Sequence, residues 1–284
     1  MKATIEQISL LCVVGQVLAF SGCYNCATSL RKTMAEYKVE KWVCSDFVPG
    51  SRLVVRDNDG AIRICADDGT ECRVTGTVFV HAPAKREARE IGEQVQIAAE
   101  RNDGVLIVTV KKPPMSQKHR FVSVDLDILL PRQAHVECET SFGRITLTGI
   151  EGDVEASTEF GRILCEHTRG ALDVQTEFGR VIGREIVSDH LVASSQKGSE
   201  DIVCADSCPP EIVADVSTEW GKICFQAPPH YQGALDLDSD LGSVKLRTSA
   251  DVRGTITRRN VSGRIGSGEG SVRLFTNLGS VTLR

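Results

Sequence analysis

The chain has 284 residues, 41% of them hydrophobic and 25% charged, enough for a packed core and too apolar for wholesale disorder. Its net charge of −5 supplies no basic field, so nucleic acid is excluded as a natural partner. Aromatics make up only 5%, and the Val, Ile and Leu that dominate the apolar content favour strands, because branched side chains suit a pleated surface.

Residues 1–23 read as an export signal. Lys2 gives a weak positive start, and an apolar stretch from Ile8 to Phe20 is broken only by Ser9, Gly15 and Gln16. That stretch is well short of the roughly 20 residues that span a bilayer, so it fits a signal core. The ending Phe20-Ser21-Gly22-Cys23 resembles a bacterial lipobox, which implies that Cys23 is the lipid-modified first residue of the mature chain. Phe20 departs from that pattern, where an aliphatic residue is usual. Residues 24–47 are then a polar tether holding the remainder off the membrane.

Residues 48–135 form an N-terminal strand and helix part. Leu53–Val55 and Ile62–Ile64 are short strands separated by the turn Asp57-Asn58-Asp59-Gly60, and Val74–Val78 is a third. Pro83 opens a helix running to about Glu93, with Ala88, Ile91 and Val95 on one side. Val95–Ala99 and Val105–Val110 are joined by Arg101-Asn102-Asp103-Gly104, a strong hairpin signal. Val122–Leu130 is the next strand.

Residues 136–284 carry an internal repeat. Thr140-Ser141-Phe142-Gly143-Arg144-Ile145 recurs as Thr158-Glu159-Phe160-Gly161-Arg162-Ile163, then Thr176-Glu177-Phe178-Gly179-Arg180-Val181, then Thr218-Glu219-Trp220-Gly221-Lys222-Ile223. Weaker copies centre on Gly198, Gly242 and Gly279. Alternation with period two flanks each glycine, so each unit reads as strand, glycine corner, strand and return turn, the glycine accepting positive φ without steric cost. Such a unit cannot bury its apolar face alone, so neighbours stack over a shared core. The expected fold is all-β, a β-helix-like solenoid with an N-terminal strand region carrying one short helix. Glu159, Glu177, Glu219 and Asp240 share one register position, and Arg144, Arg162, Arg180 and Lys222 share another. The plain reading is a solvated face of balancing charges; the functional one is an acidic ladder. Trp220, in place of Phe, reads as a core filler.

Export permits disulfides among the 11 cysteines. Cys204 and Cys208 bracket a short loop and could clip it; Cys65 and Cys72 flank a turn and could face each other across a hairpin. Cys138, Cys165 and Cys224 sit in apolar strand contexts, where cysteine serves as a small buried hydrophobe. No metal or cofactor site is expected.

The Asp59-Gly60-Ala61-Ile62 strand pair, the single helix, the Asp125–Pro131 lead-in and the repeated [ST]-x-x-G-x-[IV] units resemble the putative-adhesin, β-strand-repeat family of bacterial envelope proteins, across roughly residues 48–284. The resemblance implies a β-helix-like fold and an adhesive envelope role, and it carries no catalytic residues. The chain therefore reads as an exported, lipid-anchored envelope protein acting as a non-enzymatic binding scaffold. Its partner is an unidentified envelope component, glycan or protein, and its membrane contact is the lipid. The alternative is a glycan-active β-helix lyase or hydrolase using Glu159, Glu177 and Glu219 as acid and base, which a regular ladder without local interruption does not favour.

Overall fold

The computed structural model describes residues 34–114, 120–248 and 250–284. The expected export signal, with Cys23, and the start of the tether lie outside them. The first half contains β1 (Ala35–Asp46), β2 (Arg52–Asp59), β3 (Ile62–Asp67), β4 (Glu71–Ala82), α1 (Lys85–Gln94), β5 (Gln96–Asn102), β6 (Val105–Lys111) and β7 (Phe121–Pro131). The repeats supply β8 (His135–Phe142), β9 (Ile145–Thr148), β10 (Val154–Phe160), β11 (Ile163–Glu166), β12 (Leu172–Phe178), β13 (Val181–Ile186), β14 (His190–Lys197) and β15 (Glu200–Cys204). Last come β16 (Val213–Trp220), β17 (Ile223–Gln226), β18 (Gly233–Leu246), β19 (Val252–Ile256), β20 (Asn260–Ile265) and β21 (Gly270–Leu283).

These strands form two long ladders. One runs β5–β6–β2–β8–β10–β12–β14–β16–β21–β18–β20–β19. The other runs β1–β4–β7–β3–β9–β11–β13–β15–β17–β21–β18. The long strands β18 and β21 pass through both, so all are hydrogen-bonded into one sheet. Between the ladders lies an aliphatic core, in columns such as Leu53, Val136, Val154, Leu172 and Leu191.

The all-β expectation holds, but the chain as a whole is not a β-helix. Parallel pairing holds through the repeats, whereas β1–β4, β4–β7, β5–β6, β18–β20 and β19–β20 pair antiparallel, so hairpins occupy both ends. Nor is the tether polar coil throughout: Ala35–Asp46 is a twelve-residue strand paired with β4 along its length. Lys41 interrupts the inward series Tyr37, Val39 and Val43 and hides the alternation. In the structure its ammonium reaches the carbonyls of Glu93 and Val95, at the end of α1 where free carbonyls attract cations. The predicted hairpin is β5–β6, with Asp103 at φ 47° and Gly104 at φ 83° supplying the tight turn.

Within the repeats the register is uniform. Thr140, Thr158 and Thr176 are Cα partners in neighbouring strands, as are Phe142, Phe160 and Phe178. The reason for glycine differs from expectation. Of the predicted corner glycines, Gly143, Gly161, Gly179, Gly198, Gly221 and Gly242 do not have positive φ; only Gly279 does, at 159°. What forbids a side chain is the rung next door. A Cβ on Gly161 would lie 1.7 Å from the Gly143 carbonyl oxygen, one on Gly179 1.6 Å from that of Gly161, and one on Gly198 1.5 Å from that of Gly179. The threonine three residues earlier completes this seam, because its buried hydroxyl donates to the carbonyl the close approach leaves exposed. Thr158 bonds Gly143 O at 3.2 Å, Thr176 bonds Gly161 O at 3.2 Å and Thr276 bonds Gly221 O at 3.3 Å. The T-x-x-G pattern is thus a hydrogen-bonding requirement of stacking. The seam also orders the rungs: Gly279 packs on Gly221, and Gly242 on Gly279, so the final strand of the chain inserts between two earlier ones.

Candidate binding face

The outward parity of β8, β10, β12, β14 and β16 builds a polar groove across the ladder. Its volume is about 560 Å³, and its lining includes Glu139, Ser157, Gln175, Ser194 and Ser217 in one column. A second column beside it holds Ser141, Glu159, Glu177, Gln196 and Glu219. Like groups therefore recur once per strand, about 4.8 Å apart. At the β2 end cations close the face: Arg52 meets Glu137 at 2.6 Å, and Arg56 meets it at 2.8 Å. These guanidiniums, Arg56 first, hold the Glu137 carboxyl below its ordinary range against the opposing effect of burial.

Next to the carboxylate column, at the corner, runs an apolar ridge. Phe142 and Phe160 stack with ring centroids 5.1 Å apart, and Phe160 and Phe178 at 4.9 Å, their planes within 4°. Lys197 continues the ridge, its ammonium 5.4 Å from the Phe178 centroid and 4.6 Å from that of Trp220. Leu278 and Leu241 follow in register. The ridge is exposed, with Phe142 at 52% and Trp220 at 51%, so Trp220 is no core filler: it stands at the corner, outside the alternation that points side chains inward. Beyond the ridge lies the basic row of Arg144, Arg162, Arg180 and Lys222. Among the described residues no ion pair joins this row to Glu159, Glu177 or Glu219.

One rung breaks the rule. Glu200 takes the inward position held by Ile145, Ile163, Val181 and Ile223 in its neighbours and is 1% exposed. Neither carboxyl oxygen finds a hydrogen-bond partner, and the adjacent Ser195 hydroxyl donates instead to Thr218 Oγ1 at 2.9 Å. Burial pushes this carboxyl well above its ordinary range, and the nearby Ser195 hydroxyl, turned toward Thr218, offsets that only in part. The sequence contains the signal, a Glu at an aliphatic repeat position.

The cysteines divide. Cys138 and Cys165 are buried, as expected, and desolvation raises both thiols, that of Cys165 to about 12. Cys224 instead points outward and is half-buried. Cys65 and Cys72 do not face each other across a hairpin, because β7 lies between β3 and β4, and two strand spacings exceed the reach of a disulfide. Cys204 and Cys208 are both buried free thiols in mutual contact, a contact that lowers the Cys208 thiol and raises that of Cys204. Cys208 Sγ also lies 3.2 Å from the Ser188 carbonyl. Among the described residues no cluster of His, Cys, Asp and Glu is placed to hold a metal ion, and no helix is long and apolar enough to cross a membrane.

No protein-family model and no curated protein matches the chain. Solved structures similar to it include a "putative adhesin" from Bacteroides fragilis, at 14% identity and TM-score 0.44, covering 87% of this chain and 97% of that one. A "putative cell adhesion protein" from Clostridium sporogenes matches at 10% identity and TM-score 0.37, covering 86% and 99%. A "putative adhesin" from Parabacteroides merdae matches at 11% identity and TM-score 0.35, covering 89% and 96%. At this level the likeness carries no argument about what the chain does.

Proposed function

We propose that this chain is an exported, lipid-anchored bacterial envelope protein, acting as a non-enzymatic, adhesin-like scaffold that binds a glycan or protein of the envelope. In this reading Cys23 carries the lipid, residues 136–284 coil as a short solenoid, and residues 48–135 close one end of it. The observation that carries the binding role is the groove: hydroxyl, amide and carboxylate groups repeat strand by strand along an open face. Such an array suits an elongated ligand that is held at many equivalent points. The solenoid reading is supported by parallel, in-register pairing from β8 and β9 through β16 and β17 and on to β21 and β18, with the antiparallel β19–β20 hairpin as an appendage at its end. The export reading rests on the apolar N-terminal segment and its lipobox-like end.

Two experiments test this. Cys23→Ala is expected to abolish fatty-acid labelling and to move the protein out of the membrane fraction; undiminished labelling would refute the anchor. Envelope glycan and envelope protein fractions passed over the immobilised full chain are expected to show one fraction retained and released unchanged in size. Release of a shortened glycan would instead establish the enzymatic alternative.

A further inference from the structure

We propose that the aromatic ridge is a self-association surface, on which two copies of this chain pair with their ridges side by side and parallel, related by a twofold axis running along the ridge. This goes beyond the binding role of the groove and does not depend on it.

Phe142, Phe160 and Phe178 on one side of Lys197, and Trp220, Leu278 and Leu241 on the other, form an exposed strip in which the lysine stem bridges the two apolar stretches, and exposed apolar surface of this kind marks an interaction site. The ring stacking decides against a sugar platform. A pyranose needs a free aromatic face, and here the faces of Phe142, Phe160 and Phe178 are turned to one another while the Lys197 ammonium sits over Phe178 and Trp220. Apart from the outer face of Phe142, which borders a separate cavity, the stack presents ring edges, and edges pack well against another apolar ridge.

Charge then selects both the occupant and its orientation. Three of the rungs cross the corner in the order acid, ring, glycine, base: Glu159-Phe160-Gly161-Arg162, Glu177-Phe178-Gly179-Arg180 and Glu219-Trp220-Gly221-Lys222. The acidic row lines the groove on one side of the ridge, and the basic row lies on the other, where Arg162, Arg180 and Lys222 each precede an inward residue of the second ladder, Ile163, Val181 and Ile223. A twofold axis along the ridge exchanges left and right and keeps the height. It therefore sets Glu159 opposite the partner's Arg162, Glu177 opposite the partner's Arg180 and Glu219 opposite the partner's Lys222, each with its reciprocal. A twofold axis across the ridge would set acid on acid and base on base. Self-complementarity of this kind is the mark of an isologous interface, and charge pattern fixes its register more than its strength. Among the described residues no ion pair joins the two rows, which leaves both to face a partner.

The test is sedimentation velocity on the purified full chain over a concentration series, with two triple variants. One carries Glu159→Lys, Glu177→Lys and Glu219→Lys; the other carries Arg162→Glu, Arg180→Glu and Lys222→Glu. The wild type is expected to dimerise reversibly, and more weakly as salt is raised. Each variant alone is expected to sediment as a monomer, and an equimolar mixture of the two to dimerise again, which also shows that both are folded. A wild type that stays monomeric throughout, a dimer that survives in both variants, or a mixture that remains monomeric overturns the proposal.

Discussion

At the scale of single residues, the two most informative positions are a glycine that has no room and a glutamate that has no partner. Gly161 lies against the Gly143 carbonyl so closely that any side chain must push two rungs apart. Gly161→Ala is expected to cost roughly 2–3 kcal/mol, read as a lowered denaturation midpoint, because overpacking a close contact strains the backbone on both sides. Stability within error of wild type would show that the rungs are not in contact at that seam. Glu200 carries the opposite lesson. Its folded-state carboxyl titrates above the unfolded value, so the folded state holds the proton that the unfolded state releases first. Stability is then fully present below the ordinary carboxylate pKa and declines as pH rises above it. Glu200→Ile, which restores the aliphatic column of Val181 and Ile223, is expected to raise stability at neutral pH by about 1–3 kcal/mol and to remove that decline. A variant less stable than wild type, or one with the same pH profile, would contradict the assignment of Glu200 as an uncompensated buried acid.

At the scale of elements, the strands of the repeats are legible because period-two alternation and the recurring T-x-x-G unit are local signals that survive in one sequence. The spatial order of the rungs is not. Gly279 packs between Gly221 and Gly242 although it follows both in the chain, and nothing local distinguishes the strand that will pair at long range. β1 was missed for a related reason: Lys41 breaks its alternation, and the ammonium's role is visible only once α1 is in place. The shared register of Glu159, Glu177 and Glu219 is legible in the sequence, whereas the exposure of Trp220 depends on a corner geometry that residue type does not reveal. The Cys204–Cys208 loop remains an element that can be tested directly. Its two thiols touch in the reduced form, so peptide mapping of the oxidised, non-reduced protein is expected to recover them as one cross-linked species. Two separately alkylated cysteines under the same conditions would end that expectation.

At the scale of the whole molecule, stability and the proposed binding surface have one origin. The seam of glycine carbonyls and threonine hydroxyls locks successive strands in register, and that register is what repeats the polar columns along the groove and the apolar ridge beside it. A face made this way is wide and uniform, suited to extended partners and poor at gathering a compact catalytic constellation. The most direct measurement of this claim is retention of envelope glycan and envelope protein fractions by the immobilised full chain, compared with a form in which Ser194→Arg and Ser217→Arg fill the groove floor. The account predicts that the wild type retains one fraction and that the filled groove loses it while melting at an unchanged temperature. Equal retention by the two forms, or none by either, would contradict it.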